Sequence, residues 1–178
     1  RTTAFNATYL RLFEAFIRLY DGQYRIMGNA QVMIAKVAWD NACYWAMTAL
    51  LFFQRRLRDP EFMASIDPLM RRFFVLHARM QRLLNAWDRS DREAYAPAAV
   101  NVLDVEALRR LQGSLADPPM DAAALGARLE QNYALLEAFA RTLQAMAAER
   151  NPALERVVGA GTDAGGLDVG ALRLARAP

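Results

Sequence analysis

Lys36, the only lysine of the chain, and Asp40 lie inside a nearly all-apolar block that runs from Tyr20 to Gln54. On a helix, positions four apart share a face, so the two charges can pair. A charge in a low-dielectric core needs such a partner, because breaking a buried pair is strongly destabilising. Trp39, Tyr44 and Trp45 crowd around the pair in sequence. Two chemistries fit this pattern. In one, Lys36 anchors an anionic ligand or acts as a base of lowered pKa, and Lys36, Trp39, Asp40, Tyr44 and Trp45 bind a flat or hydrophobic substrate. In the other, Lys36 and Asp40 form a structural ion pair, or a polar stripe with Gln31 and Asn41, and the aromatics pack the core.

Cys43 is the single cysteine and His77 the single histidine. One cysteine excludes an internal disulfide framework and a cysteine cluster for zinc. Any Cys–His pair must be assembled from these two residues alone. Cys43 lies in an apolar run and reads as an inert buried thiol. His77 shares a segment with Phe73, Phe74 and Met80 and reads as a core or boundary residue. No Glu-x-x-His of the di-iron bundles and no G-x-S-x-G occurs. The run GAGTDAGG (159–166) resembles a phosphate loop, but it lacks a preceding strand and a Gly-Lys-Ser/Thr ending. The sequence therefore assigns no catalytic, metal or cofactor-binding residue.

The elements that must position these side chains read as helices throughout. Tyr9, Leu12, Phe13, Phe16, Ile17 and Tyr20 recur at helical spacing, and Asp21-Gly22 ends that pattern. After a connector at 23–28, Asn29 is suited to cap a helix running from about Ala30 to Leu57, apolar on most of its circumference and so central. Asp59-Pro60 and Asp67-Pro68 each pair a capping aspartate with a proline at the first helical position. The second of these helices carries Leu69, Phe73, Leu76, Met80, Leu83, Leu84 and Trp87 inward and ends near 88–91. An ordered loop follows at 94–103, then a short helix capped by Asp104 through about Leu115. Beyond the rigid Asp117-Pro118-Pro119, a long helix spans about Asp121 to Arg150. The expected fold is all-α, an irregular helical bundle of about four long and two short helices. It occupies residues 1–152, with a Gly/Ala-rich C-terminal tail at 153–178 that either stays flexible or packs on another domain.

Composition narrows the function classes. A chain of 178 residues is one domain, or one domain and a tail, and can bury enough surface to fold without staples. The net charge of +3 rests on arginine, a pattern of GC-rich bacterial genomes rather than of a nucleic-acid partner. The arginine clusters at 54–58 and at Arg71, Arg72, Arg79 and Arg82 are mixed with acids and large apolar residues, so they read as solvated faces. The uncharged stretch Asn41–Phe53 holds 13 residues, short of the roughly 18–20 that a membrane span needs. No signal peptide is legible, and a cytoplasmic location is expected. The opening at Arg1, inside a helical pattern, suggests a piece of something longer.

The string GQYRIMGNAQVMIAKVAWDNACYWAMTALLFFQ, preceded by an aromatic-rich segment ending in LYD, resembles the C-terminal helical region of flavin-dependent halogenase-like proteins, within the FAD-dependent monooxygenase superfamily. The resemblance rests on Tyr20, Gly28, Asn29, Val32, Met33, Lys36, Trp39, Asp40, Tyr44, Trp45 and Phe52–Gln54, and covers roughly the first 60 residues. It implies FAD for the parent protein. The family's G-x-G-x-x-G and W-x-W-x-I-P motifs are absent here, and Lys36 lies in the wrong context for the family's catalytic lysine. The implied role is that of a non-catalytic helical domain, packed on a flavin-binding domain and helping to form the substrate cavity. The alternative is a stand-alone helical interaction or small-ligand-binding module, dimeric through its apolar faces.

Overall fold

Side-chain caps set where three of the six described α-helices begin. The computed structural model describes Asn6, Tyr9, Leu10, Phe13, Glu14, Ile17 and residues 23–91, 93–96, 98–158 and 167–177. The six isolated N-terminal residues have helical backbone. Leu12, Phe16, Tyr20 and the Asp21-Gly22 stop lie outside the described residues, as does the GAGTDAGG run. A 3₁₀ segment, Gln23–Gly28, leads into α1 (Ala30–Cys43), where Asn29 Oδ1 accepts from the Val32 N–H. A π-helical turn, Tyr44–Ala49, continues α1 into α2 (Leu50–Phe53). Asp59 caps α3 (Pro60–Ser65) by accepting from Phe62, with Pro60 at the first position. Next come α4 (Asp67–Ser90), α5 (Glu106–Gly113) and α6 (Ala122–Ala148), the last capped by Asp121 through the Ala124 N–H.

The fold is an all-α bundle, with four of these six α-helices at least seven residues long and no strand among the described residues. Helices α1, α4 and α6 pack on one another pairwise, while α5 covers α1 and the π turn. Trp39, Trp87 and Phe139 are the largest fully buried side chains. Removing such a ring from water contributes roughly 2–3 kcal/mol, which is why the bundle forms around them.

Three local expectations change. The single helix expected from Ala30 to Leu57 ends at Phe53, and Arg55 stands in the left-handed region at φ 56°. Asp67 is the first residue inside α4 rather than its cap, and its carboxylate instead accepts from Arg71 Nε at 2.7 Å. Asp104 belongs to a 3₁₀ turn, Val102–Asp104, started by the Asn101 side chain, so α5 begins at Glu106. Neither α4 nor α5 carries a side-chain cap at its start, because the expected capping carboxylates lie inside the helix or in the turn before it.

The π turn re-phases the central helix. Inward positions step by three or four through Val32, Ala35, Trp39, Ala42 and Ala46, and then by four to Leu50 and Gln54. A π turn bonds i to i+5 instead of i+4, adding about one residue to the turn. Val37 and Tyr44 are exposed, and across the π turn Phe52, eight residues after Tyr44, is exposed as well. Irregular segments are held to the bundle by three glutamines. Gln31 donates to Leu172 O and accepts from Leu174 N–H, Gln54 accepts from Met120 N–H, and Gln144 donates to Glu155 O and accepts from Val158 N–H. A primary amide offers both a donor and an acceptor, so one side chain satisfies backbone groups that a helix or ladder would otherwise pair. The described part of 167–177 is thereby seated on the bundle, with Leu172 fully buried and Arg173 paired to Glu149.

Candidate functional site

Helices α1 and α4 bring the chain's rarest chemistry together. Lys36, Trp39, Asp40 and Cys43 fall within two turns of α1, and His77 and Gln81 stand one turn apart on α4. Lys36 Nζ pairs with Asp40 Oδ2 at 2.5 Å. Lys36 is buried, whereas the Asp40 side chain keeps 27% of its surface exposed. Across the helix pair, Trp39 Nε1–H donates to His77 Nδ1 at 3.1 Å, with the two rings stacked at 6.1 Å. Cys43 Sγ lies 3.6 Å from the same Nδ1. The other ring nitrogen, Nε2, is 3.1 Å from the Gln81 amide, and Gln81 also lies within hydrogen-bonding reach of Asp40.

The five residues singled out from sequence do not share one fate. Lys36, Trp39 and Asp40 join a single polar cluster. Trp39 is fully buried, with Phe139 of α6 on its other side. Tyr44 stands 46% exposed, one turn beyond Asp40, and Trp45 is half-buried against the core. Sequence reasoning missed Gln81 and the union of His77 with Trp39. The available signal was slight: Gln81 lies one helical turn from the sole histidine.

Cys43, His77 and Gln81 stand in the order thiol, imidazole, orienting amide that thiol hydrolases use. The electrostatics oppose that chemistry. Burial, reinforced by the nearby Asp40 charge, pushes the Cys43 thiol well above its usual range, so the nucleophilic thiolate is suppressed. Burial, followed by the charge of Lys36, lowers His77 to about 4, leaving the imidazole neutral at pH 7. Its Nδ1 already accepts the indole proton of Trp39 and so is occupied as a base toward the thiol. Asp40 is raised, by desolvation first, with Lys36 and Gln81 pulling the other way. Most polar groups of the cluster thus face another of its members, while Asp40 Oδ1 and Gln81 Oε1 are buried without a hydrogen bond.

Among the described residues no group of three or more His, Cys, Asp or Glu side chains is arranged to hold a metal ion. No helix of the described residues is long and apolar enough to cross a membrane. No family model, no curated protein and no solved structure matches the chain.

Proposed function

We propose that the chain is a non-catalytic helical domain that packs through an exposed aromatic face on a flavin-binding domain of a halogenase-like oxidoreductase, where it helps to form the substrate cavity. One observation carries this reading. Tyr24 (79%), Phe52 (65%), Met27 (60%) and Phe53 (55%) are largely exposed, and all four fall in the block on which the resemblance rests. Scattered single apolar side chains are ordinary on a surface, whereas adjoining large ones mark a contact region, and the Phe52 and Phe53 rings adjoin edge to face at 5.6 Å. The inward chemistry supports the same role from the other side, because a thiol held protonated and an ion pair buried with its partners leave no poised nucleophile or base. FAD belongs, in this reading, to the partner domain.

The gene upstream of the Arg1 codon supplies the test. A continuous reading frame encoding G-x-G-x-x-G and W-x-W-x-I-P is expected. A start codon directly before Arg1 would overturn the flavoenzyme reading and leave the stand-alone module. Sedimentation of the isolated chain then separates the alternatives further: a dimer abolished by Phe52→Ser would assign the aromatic face to a second copy instead.

A further inference from the structure

We infer that the Gln81 amide presents Oε1 to His77 and Nε2 to Asp40, so that one continuous run of hydrogen bonds, Trp39–His77–Gln81–Asp40–Lys36, forms an acid-operated latch between α1 and α4. The argument is one of donor and acceptor counting. Neutral imidazole has one N–H and one acceptor nitrogen. Trp39 Nε1 can only donate, and it lies 3.1 Å from His77 Nδ1, so Nδ1 must accept and Nε2 must carry the proton. The atom facing Nε2 must then be an acceptor. With Gln81 Nε2 placed there, two donors meet, while Gln81 Oε1 and Asp40 Oδ1 are both buried without a hydrogen bond. The two ends of a primary amide have nearly the same shape, so neighbours decide which end is oxygen. Turning the amide over gives His77 Nε2–H an acceptor and Asp40 Oδ1 a donor in a single step. Two buried unsatisfied atoms disappear, which is the arrangement that buried polar groups adopt.

The run then has a direction and a weak point. Lys36 donates to Asp40, Gln81 donates to Asp40, His77 donates to Gln81, and Trp39 donates to His77. Asp40 and His77 can both gain a proton, and His77 is the one that accepts across the helix pair from Trp39. A proton on Nδ1 sets N–H against the Trp39 indole N–H, and the contact between α1 and α4 loses its acceptor. Among the described residues, the charged and titratable groups around the imidazole are Lys36, Asp40 and Cys43, all from α1. Helix α6 contributes the uncharged Phe139 ring behind Trp39. Lys36 disfavours the imidazolium, so the latch stays closed at neutral pH and opens in acid.

Because the chain has a single histidine, nitrogen–proton correlation spectra of the labelled full chain report His77 alone. At pH 7 we expect Nε2 protonated, Nδ1 unprotonated, and a Trp39 indole proton protected from exchange. On acidification, Nδ1 should gain its proton in the same pH window in which the indole protection is lost. An Nδ1–H tautomer at pH 7, or indole exchange that ignores the His77 titration, would overturn the latch. Gln81→Leu removes the acceptor for Nε2–H and the donor to Asp40, so the tautomer balance and the His77 titration should both move. If that variant folds and leaves both unchanged, the relay is wrong. If it does not fold, the spectra of the unmodified chain still decide.

Discussion

Asn132 of α6 donates its side-chain amide to the carbonyl of Ala46, at 2.7 Å, inside the π turn of the central helix. A π turn leaves carbonyls out of the ordinary i+4 ladder, and a buried one without a donor is costly. Asn132→Leu should therefore destabilise the chain by about 1–3 kcal/mol, the cost of stranding a buried acceptor. Urea unfolding measures it. Glu130→Ala, which removes one side of an exposed pair with Arg72, serves as the control and should change stability by about 1 kcal/mol or less.

The Lys36–Asp40 pair separates binding from structure. Lys36→Met strips the charge from a buried site and leaves Asp40 without its cation. We expect a loss near the lower end of the range for broken buried pairs, about 3 kcal/mol, because Asp40 reaches solvent. Lys36→Met with Asp40→Leu should recover most of it. A Lys36→Met chain as stable as the parent would return the pair to the ligand-anchor reading.

Acid should weaken the fold through His77. Its folded pKa is about 4, against 6.5 for the ordinary group, so between these values the unfolded chain binds more protons. Stability is then complete above about pH 6.5 and falls as pH drops toward 4, by about 3 kcal/mol at most. Asp40 has the opposite sign. Its raised pKa favours the fold at low pH and loses that contribution as pH rises through the folded value, partly offsetting His77. Thermal unfolding of the parent and of His77→Gln across pH 4–7 checks this, and the variant should show the flatter profile.

Cys43 should resist modification while the chain is folded. Its thiol is buried and its pKa is pushed up, so both access and thiolate fraction are low. Alkylation with iodoacetamide at pH 8 should proceed only as fast as the chain unfolds and accelerate in urea. Labelling at the rate of a free thiol in native buffer would show that the site opens locally.

Exposed aromatic residues should govern association without governing stability. Tyr24→Ser and Phe52→Ser replace side chains that are mostly in water, so each should shift the unfolding free energy by less than about 0.5 kcal/mol. Binding of an apolar dye should fall in the same variants. A large loss of stability would instead place these rings in the core.

Much of the architecture was legible because caps and periodicity are local. Asn29, Asp59 and Asp121 each cap the helix that follows, as their types dictate. The apolar face read for α4 is the face that it buries. Local rules failed where a competing partner stood nearby in space or sequence, as Arg71 does for Asp67. The π turn escaped because the block around it is apolar on nearly all sides, so a one-residue change of phase leaves no mark on the pattern.

The sequence by itself determined that the chain is helical, that its central helix carries one lysine and one aspartate on a shared face, and that neither an internal disulfide nor a cysteine-cluster zinc site holds it together. These follow from residue type and from spacings within a few positions, where helical geometry is fixed. Only the tertiary structure decided that His77 accepts from Trp39, that Gln81 stands between His77 and Asp40, and that Gln31, Gln54 and Gln144 seat the irregular segments. Those partners lie up to 143 positions apart, as Gln31 and Leu174 do. A hydrogen bond over such a separation has no periodicity for a sequence to display, because it depends on how two helix faces are rotated against each other.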